Sequence, residues 1–249
     1  MPKVQSLRIK LFLDGAELQS MKEAVASNPL IKGFTTNPTL MRKAGVTDYS
    51  AFAREAIAAV GGRSISFEVF SDDFDTMERE AREIHTWGGN TYVKIPVTNT
   101  KGISSAPLIR KLSAEGIPLN VTAILTAAQV REVAAALALK TPSIVSVFAG
   151  RIADSGVDPM PIMRECAGIL GNRPKAELLW ASPRELLNIF QAEEVGCHII
   201  TATKDVLAKL SLVGKDLSQY SLETVQMFHR DAHAAGYQLV PPIKATSAA

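Results

Sequence analysis

The chain is poor in cysteine, in aromatic residues and in excess charge. Its 249 residues include two cysteines (Cys166 and Cys197), 6% aromatic residues, and 27 Lys plus Arg against 25 Asp plus Glu, for a net charge of +2. The cysteine count leaves one disulfide open but excludes a disulfide framework or a CxxC metal site. A near-neutral chain lacks the concentrated basic stripe that a nucleic-acid surface needs, so nucleic acid is not an expected partner.

Long apolar runs are missing too. No stretch approaches the roughly 18 uninterrupted apolar residues of a membrane span, and the first ten residues, MPKVQSLRIK, contain no apolar signal core. Hydrophobic residues make up 47% and charged residues 21%, which argues against disorder and coiled coil. We expect a soluble, cytoplasmic globular protein with no membrane partner.

Short β-branched runs alternate with helical patterns along the chain. This alternation predicts parallel strands joined by right-handed helical crossovers. The eight candidate strands are residues 8–14, 31–37, 64–70, 91–96, 118–125, 143–150, 177–182 and 197–201. Eight such units favour a single (β/α)₈ TIM barrel. The alternative is a doubly wound sheet, which usually has a glycine-rich first turn, and the chain contains no GxGxxG.

Helix boundaries are marked by capping patterns. Thr126 with Gln129, and Ser182 with Glu185, each match a capping box. After the eighth unit, an apolar face over about 221–236 predicts an extra C-terminal helix, and residues 240–249 are expected to fray. We see no linker or composition shift, so residues 1–249 are expected to form one domain.

In a (β/α)₈ barrel the site lies at the carboxyl ends of the strands. Polar residues interrupt the apolar runs near those ends at Asp14, Thr35, Asn37, Glu68, Lys94, Asn120, Thr122, Ser146 and Ser182. Positions 94, 120 and 146 follow one another at a constant step of 26 residues, as equivalent positions of successive units would. These side chains are therefore expected to meet.

Lys94 gives the sharpest signal, because Val93 and Ile95 flank it. A charged amine is costly in an apolar strand end, whereas a neutral amine is a nucleophile that forms Schiff bases with carbonyl compounds. Asp14 and Glu68 are the acids that could move protons beside it. Two plainer interpretations stay open: Lys94 snorkels from a strand edge or pairs with a carboxylate, and Asp14 caps a turn.

Two arginines, Arg151 and Arg184, follow the sixth and seventh strand runs. Guanidinium groups match phosphate in shape and charge. Ser182 is predicted at a helix N-terminus, where free N–H groups favour anions. The alternative is that both arginines are ordinary surface residues.

Six motifs together resemble the transaldolases, and especially their shorter, single-barrel members. They are TTNPTL (35–40), FEVF (67–70), YVKIP (92–96), NVTAIL (120–125), SVFAGRI (146–152) and ASPRE (181–185). The resemblance covers nearly the whole chain. It implies transfer of a dihydroxyacetone unit from a ketose phosphate, such as sedoheptulose 7-phosphate or fructose 6-phosphate, to an aldose phosphate, such as glyceraldehyde 3-phosphate or erythrose 4-phosphate. It implies a place in the pentose phosphate pathway, and no metal or organic cofactor.

The resemblance also implies roles for individual residues. Lys94 matches the Schiff-base lysine, and Asp14 matches the aspartate that takes and returns the proton of the C4 hydroxyl. Glu68, through a water held with Thr122, matches the residue that assists dehydration of the carbinolamine. The implied substrate contacts are Thr35, Asn37, Asn120, Ser146 and Phe148 around the three-carbon unit, and Arg151, Ser182 and Arg184 around the phosphate. A homo-oligomer is implied, as a dimer, pentamer or decamer.

Rival functions remain. The related fructose-6-phosphate aldolases have a tyrosine where this chain has Phe148 and a glutamine where it has Glu68, and both differences favour transaldolase. Some short relatives act on sugars with other anionic heads, such as sulfonates. A catalytically silent sugar-phosphate-binding barrel is a rival from another class, and a nicotinamide oxidoreductase is disfavoured by the missing phosphate motif.

Overall fold

A computed structural model of the protein describes residues 4–240. The described residues fall into two compact units, residues 4–211 and residues 212–240. Of the tail predicted to fray, residues 241–249 lie outside the described part of the chain. Among the described residues, no helix combines the length and the apolar character that crossing a membrane requires.

Residues 4–211 contain eight parallel strands that close into a barrel in the order of the sequence. β1 pairs with β2 on one side and with β8 on the other, which closes the ring. The strands are β1 (Lys10–Asp14), β2 (Ile31–Thr35), β3 (Ser64–Glu68), β4 (Thr91–Pro96), β5 (Leu119–Ile124), β6 (Ser143–Val147), β7 (Ala176–Trp180) and β8 (Ile199–Ala202). The predicted (β/α)₈ barrel is confirmed.

Helices connect the strands on the outside of the barrel, as right-handed crossovers require. They are α1 (Leu18–Ser27), α2 (Pro38–Lys43), α3 (Tyr49–Ala59), α4 (Phe74–Thr86), α5 (Ala106–Ala114), α6 (Ala127–Ala136), α7 (Ala149–Asp154), α8 (Pro159–Leu170) and α9 (Leu187–Glu194). A further helix, α10 (Lys204–Ala208), follows β8. Their apolar faces and the outward faces of the strands form one buried layer. Cys166 and Cys197 are buried as free thiols.

One of the two predicted capping boxes is present. Thr126 accepts from the N–H of Gln129, whose side chain accepts from the N–H of Thr126, and α6 begins there. The box predicted at Ser182 and Glu185 is wrong, because α9 begins at Leu187. The side chain of Asn188 accepts from the N–H groups of Arg184 and Glu185 instead, so an amide inside the helix satisfies the donors that a cap would serve.

A small apolar cluster that includes Phe12, Ile144, Leu179 and Ile199 fills the interior of the barrel. The ring of Phe12 leaves no space for a side chain on the neighbouring strand, since a Cβ at Gly33 would lie 2.5 Å from it. This filling confines open space to the carboxyl ends of the strands.

The second unit, residues 212–240, contains the helix α11 (Leu217–Ala234). The helix was predicted at about 221–236, and it begins four positions earlier because Asp216 caps it by accepting from the N–H of Gln219 at 2.9 Å. None of its residues is buried. Leu222, Val225 and Phe228 are all exposed by about half or more.

Candidate active site

A cavity of about 420 Å³ opens at the carboxyl ends of the barrel strands. Every strand contributes at least one residue to its lining. These strand residues are Asp14, Thr35, Glu68, Lys94, Asn120, Thr122, Ala123, Ser146, Leu179 and Thr201. The adjoining loops and helix starts add Asn37, Phe148, Arg151 and Ser182, among others. Twelve residues were predicted from the sequence to act in catalysis or to bind substrate, and all of them except Arg184 line the cavity.

Lys94 lies at the centre of an ordered row across three strands. It is in register with Glu68 on β3 and with Asn120 on β5. Its Nζ lies 3.0 Å from Oε2 of Glu68 and donates to the main-chain oxygen of Thr36 at 3.0 Å. Lys94 is only 7% exposed, so it does not snorkel. It does pair with a carboxylate, and that carboxylate belongs to the residue predicted to act beside it.

Asp14 ends β1 and is held by hydroxyl groups rather than by a turn. Thr35 Oγ1 donates to Asp14 Oδ1 at 2.7 Å and lies 2.5 Å from Thr201 Oγ1. Burial raises the pKa of Asp14 above its usual range, an effect that the bond from Thr35 and the charge of Lys94 partly oppose. The helix that follows has its N-cap at Glu17, so Asp14 is not its cap. A carboxyl group with a raised pKa suits a residue that both takes and returns a proton.

Asn120 is fixed by bonds on both sides of its amide. Its Nδ2 donates to Ser66 Oγ at 2.9 Å, and its Oδ1 accepts from Ser146 Oγ at 2.6 Å. In the β5–β6 register Asn120 lies opposite Ile144, so Ser146 sits two residues further along than the constant step of 26 suggested. The two side chains meet nevertheless, because the hydroxyl reaches diagonally to the amide.

The backbone bends sharply next to Thr122. Ala123 has φ 62° and Ser182 has φ 58°, and these are the non-glycine residues of the described chain with positive φ. Both line the cavity, where such strained conformations concentrate in functional sites. Thr122 Oγ1 is buried and has no hydrogen-bond partner among the described residues. A buried hydroxyl in the lining of a cavity is available to hydrogen-bond a molecule bound there.

Arg151 provides the positive charge at one end of the cavity. Its guanidinium carbon lies 5.2 Å from the centroid of the Phe148 ring. The backbones of its loop and the next one are in direct contact: Gly150 donates its N–H to the oxygen of Ala181 at 3.2 Å, and a Cβ at Gly150 would lie 1.5 Å from the oxygen of Ser182. This contact sets Ser182 beside Arg151.

Arg184, predicted to contact the phosphate, pairs with an aspartate in this structure. Its Nε donates to Asp154 Oδ1 at 2.9 Å, and its Nη2 pairs with Asp154 Oδ2. It is absent from the cavity lining. Ser182 lines the cavity as predicted, but not at a helix N-terminus, since its own φ is positive and α9 begins five residues later.

Two functional contacts escaped the sequence analysis. Thr201 bonds to Thr35 at the end of β8, and Ser66 supports Asn120 from one layer below. Thr201 could have been found, because it ends the eighth predicted strand on the same face as Ile199.

Asn37 was predicted as a substrate contact. Its side chain also caps α2 by accepting from the N–H of Leu40 at 3.0 Å.

The family model for transaldolase/fructose-6-phosphate aldolase matches residues 11–239. A protein of Thermoplasma volcanium named "Probable transaldolase" is 38% identical over 206 residues, which cover 81% of this chain and 87% of that protein. A "Probable transaldolase" of Thermoanaerobacter sp. is 36% identical over 93% of this chain and 100% of its own length. Among solved structures, dihydrodipicolinate synthase of Rhodopseudomonas palustris is 16% identical with a TM-score of 0.58, covering 90% of this chain and 79% of that one. That likeness concerns the barrel fold alone.

Proposed function

Since the chain belongs to the transaldolase/fructose-6-phosphate aldolase family, we propose that it transfers a dihydroxyacetone unit between sugar phosphates through a Schiff base on Lys94. Donors such as fructose 6-phosphate or sedoheptulose 7-phosphate, and acceptors such as erythrose 4-phosphate or glyceraldehyde 3-phosphate, are the substrates we propose. With these substrates the reaction would belong to the pentose phosphate pathway. The observation that carries the proposal is the buried amine of Lys94, 3.0 Å from Glu68 in a cavity at the barrel end.

The first proposed stage forms the covalent intermediate. Lys94 must lose a proton before it attacks the ketose carbonyl, and Glu68 Oε2 is within reach to accept that proton. The carbinolamine then loses its hydroxyl group as water and becomes the Schiff base. Glu68 would return the proton for this step, and the free hydroxyl of Thr122 would hold the water.

The second stage breaks and forms the carbon–carbon bond. Asp14 takes the proton of the C4 hydroxyl, the C3–C4 bond breaks, and the first aldose leaves while the electron pair stays with Lys94 as an enamine. The enamine attacks the carbonyl of the acceptor, and Asp14 gives its proton to the new hydroxyl. Water then hydrolyses the new Schiff base. The raised pKa of Asp14 supports both directions of this transfer.

Binding contacts complete the proposal. Asn120 and Ser146, ordered by their mutual bond, would contact the hydroxyl and carbonyl groups of the three-carbon unit together with Thr35 and Asn37. Arg151 and Ser182 would hold the anionic head group at the other end of the cavity. Phe148, whose ring centroid lies 5.2 Å from the guanidinium carbon of Arg151, offers no acidic hydrogen to the enamine, which favours transfer over release.

Covalent trapping tests this function. Borohydride added with fructose 6-phosphate should leave a reduced three-carbon adduct on Lys94, found by peptide mass spectrometry. Lys94→Ala should abolish both the adduct and transfer to erythrose 4-phosphate. The matched control is Lys101→Ala, which removes an exposed lysine outside the cavity and should leave both intact. An adduct on another lysine, or none in the unaltered chain, would contradict the proposal.

A further inference from the structure

The amine of Lys94 is held by a main-chain oxygen as well as by a carboxylate. Its Nζ donates to the oxygen of Thr36 at 3.0 Å, and Oε2 of Glu68 lies 3.0 Å from the same nitrogen. The two acceptors differ chemically, because a carboxylate takes up a proton far more readily than a peptide oxygen does. Glu68 can therefore exchange a proton with the amine, whereas the oxygen of Thr36 accepts from the nitrogen whether it is charged or neutral.

A hydroxyl bond fixes the peptide group that carries this oxygen. The register of β2 with β3 ends at the pair Thr35 and Ser66, so Thr36 lies one residue beyond the ladder. There its Oγ1 donates to the main-chain oxygen of Ser66 at 2.9 Å. Thr36 and Ser66 are both fully buried, so this bond lies out of reach of solvent. The side chain of Thr36 therefore ties its own peptide group to β3, the strand that pairs with β4 beside Lys94.

The same serine supports the other side of the site. Ser66 Oγ accepts from Nδ2 of Asn120 at 2.9 Å, and Oδ1 of Asn120 accepts from Ser146 Oγ at 2.6 Å. A continuous series of buried bonds thus leads from the amine of Lys94 through Thr36 and Ser66 to the amide of Asn120. Both groups are tied to one residue of β3, which fixes their relative positions.

A nucleophile on a flexible stem needs such a restraint. Lysine carries its amine on a flexible chain, and attack on a carbonyl requires reacting atoms about 3–3.5 Å apart with aligned orbitals. We propose that Thr36 is a positioning residue for Lys94: by bonding to Ser66 it directs its own carbonyl at the amine and holds the nucleophile in place while Glu68 exchanges the proton. This inference rests on the proposed function, whose first stage it deepens.

Two other roles for Thr36 lead to different expectations. A direct contact with the sugar is disfavoured, because Thr36 is 0% exposed and does not line the cavity. A purely structural role would have the hydroxyl stabilise the turn into α2, and its loss would then lower the stability of the fold without slowing attack by Lys94. Positioning requires that the rate falls while binding of the sugar is unchanged.

Thr36→Val removes the hydroxyl and keeps the branched shape of the side chain. With saturating fructose 6-phosphate, the single-turnover rate of the borohydride-trapped adduct on Lys94 should fall about 10- to 100-fold, as a misplacement of about 1 Å produces. Glucitol 6-phosphate lacks a carbonyl and cannot react with Lys94, and its Kd should change by less than about twofold. Thr36→Ser keeps the hydroxyl and should restore most of the rate.

Thr141→Val is the matched control. Thr141 is also buried, and its Oγ1 donates to the main-chain oxygen of Ser113 at 2.6 Å, away from the cavity. Both valine variants should lower the Tm, but only Thr36→Val should slow formation of the adduct. If Thr36→Val does not fold, Thr36→Cys takes its place against Thr36→Ser, because a thiol is a weak donor of similar size, and the cysteine variant should be the slower one.

The outcomes that oppose the inference are distinct from those that oppose the function. An unaltered rate in Thr36→Val, a weaker affinity for glucitol 6-phosphate, or a rate that Thr36→Ser does not restore would each overturn the role of Thr36. For the pair that replaces it, equal rates in Thr36→Ser and Thr36→Cys would do the same. The absence of an adduct in the unaltered chain contradicts the Schiff-base function itself, whereas an adduct that forms equally fast in Thr36→Val contradicts the positioning role alone.

Discussion

Asp14 is a residue of the candidate site whose burial affects the stability of the fold. Its carboxyl group is removed from solvent at the end of β1, and burial raises its pKa. In the unfolded chain the same group ionises at its ordinary value of 3.8. Below that value it is protonated in both states and costs nothing. As the pH rises above 3.8, the unfolded chain releases the proton more readily than the folded one, so stability falls until the folded group has ionised too.

Asp14→Asn should therefore stabilise the protein at neutral pH while abolishing transfer. The amide can still accept the bond from Thr35 and carries no buried charge. We expect the Tm at pH 7 to rise by about 2–4 °C, the shift that about 1 kcal/mol produces in a domain of this size, and the gain to vanish near pH 3. Asp75→Asn, at an exposed position of α4, is the matched control. A lower Tm at pH 7 would show that the ionised carboxylate is needed by the fold.

We propose that Phe148 is the residue that decides between transfer and cleavage. In the proposed mechanism, an enamine on Lys94 would wait for an aldehyde only if no acid protonated it first, and a well-placed general acid accelerates such steps about 10²–10⁴-fold. Phe148→Tyr should therefore raise the release of free dihydroxyacetone relative to transfer, measured at fixed fructose 6-phosphate with and without erythrose 4-phosphate. Phe70→Tyr makes the same change at an exposed residue outside the cavity and should leave the ratio unaltered. If the unaltered chain already releases dihydroxyacetone as fast without an acceptor, it is an aldolase.

Among the elements, the segments that follow β6 and β7 are held together by a close approach of their backbones at Gly150 and Ser182. Gly150 occupies a position where a Cβ would lie 1.5 Å from the oxygen of Ser182. Because that atom belongs to the backbone, it cannot rotate away, and the two loops must separate to admit a side chain.

Gly150→Ala should cost about 1–3 kcal/mol of folding free energy, as overpacking does. It should also weaken binding of the phosphorylated donor, because Ser182 and Arg151 move apart. Chemical denaturation and KM for fructose 6-phosphate against fructose measure the two effects. Gly168→Ala provides the contrast: it lies inside α8 with no atom within 4 Å of the new Cβ, and it should stabilise the chain by up to about 1 kcal/mol. Equal results for the two variants would mean that the loop contact is unimportant.

The elements also show where sequence reasoning succeeds and where it stops. The alternation of short β-branched runs with helical patterns located all eight strands, because buried parallel strands have near-continuous apolar runs that are rich in β-branched residues. The constant step through Lys94 and Asn120 anticipated their shared level in the barrel. The helix N-terminus predicted at Ser182 is wrong, because the side chain of Asn188, beyond the ASPRE motif, accepts from the N–H groups of Arg184 and Glu185. The bond from Arg184 to Asp154 joins residues 30 positions apart, and no local pattern indicates it.

At the scale of the whole molecule, the exposed apolar side chains of α11 need an explanation, because none of the residues of this helix is buried. Leu222, Val225 and Phe228 recur at helical spacing, and all three are exposed by about half or more. An apolar stripe of this kind is typical of a surface that associates, and we expect it to contribute to a homo-oligomer.

Phe228→Glu places a charge in the middle of this stripe and should lower the molar mass measured by light scattering. Gln226→Glu changes charge by the same amount at an exposed polar position of the same helix and should leave the molar mass unchanged. The monomer fold should survive both substitutions, since neither side chain is buried. A monomeric parent chain, or an assembly indifferent to both changes, would exclude this role for α11.

The bond between Thr35 and Thr201 joins residues 166 positions apart in the chain. It lies where β1, β2 and β8 meet at the seam of the barrel. The two hydroxyls are in contact only when β8 is paired with β1, so the pocket around Asp14 is complete only in the closed barrel. A sugar that binds there selects molecules that have completed folding, and by mass action it protects the entire barrel against unfolding rather than the local loops.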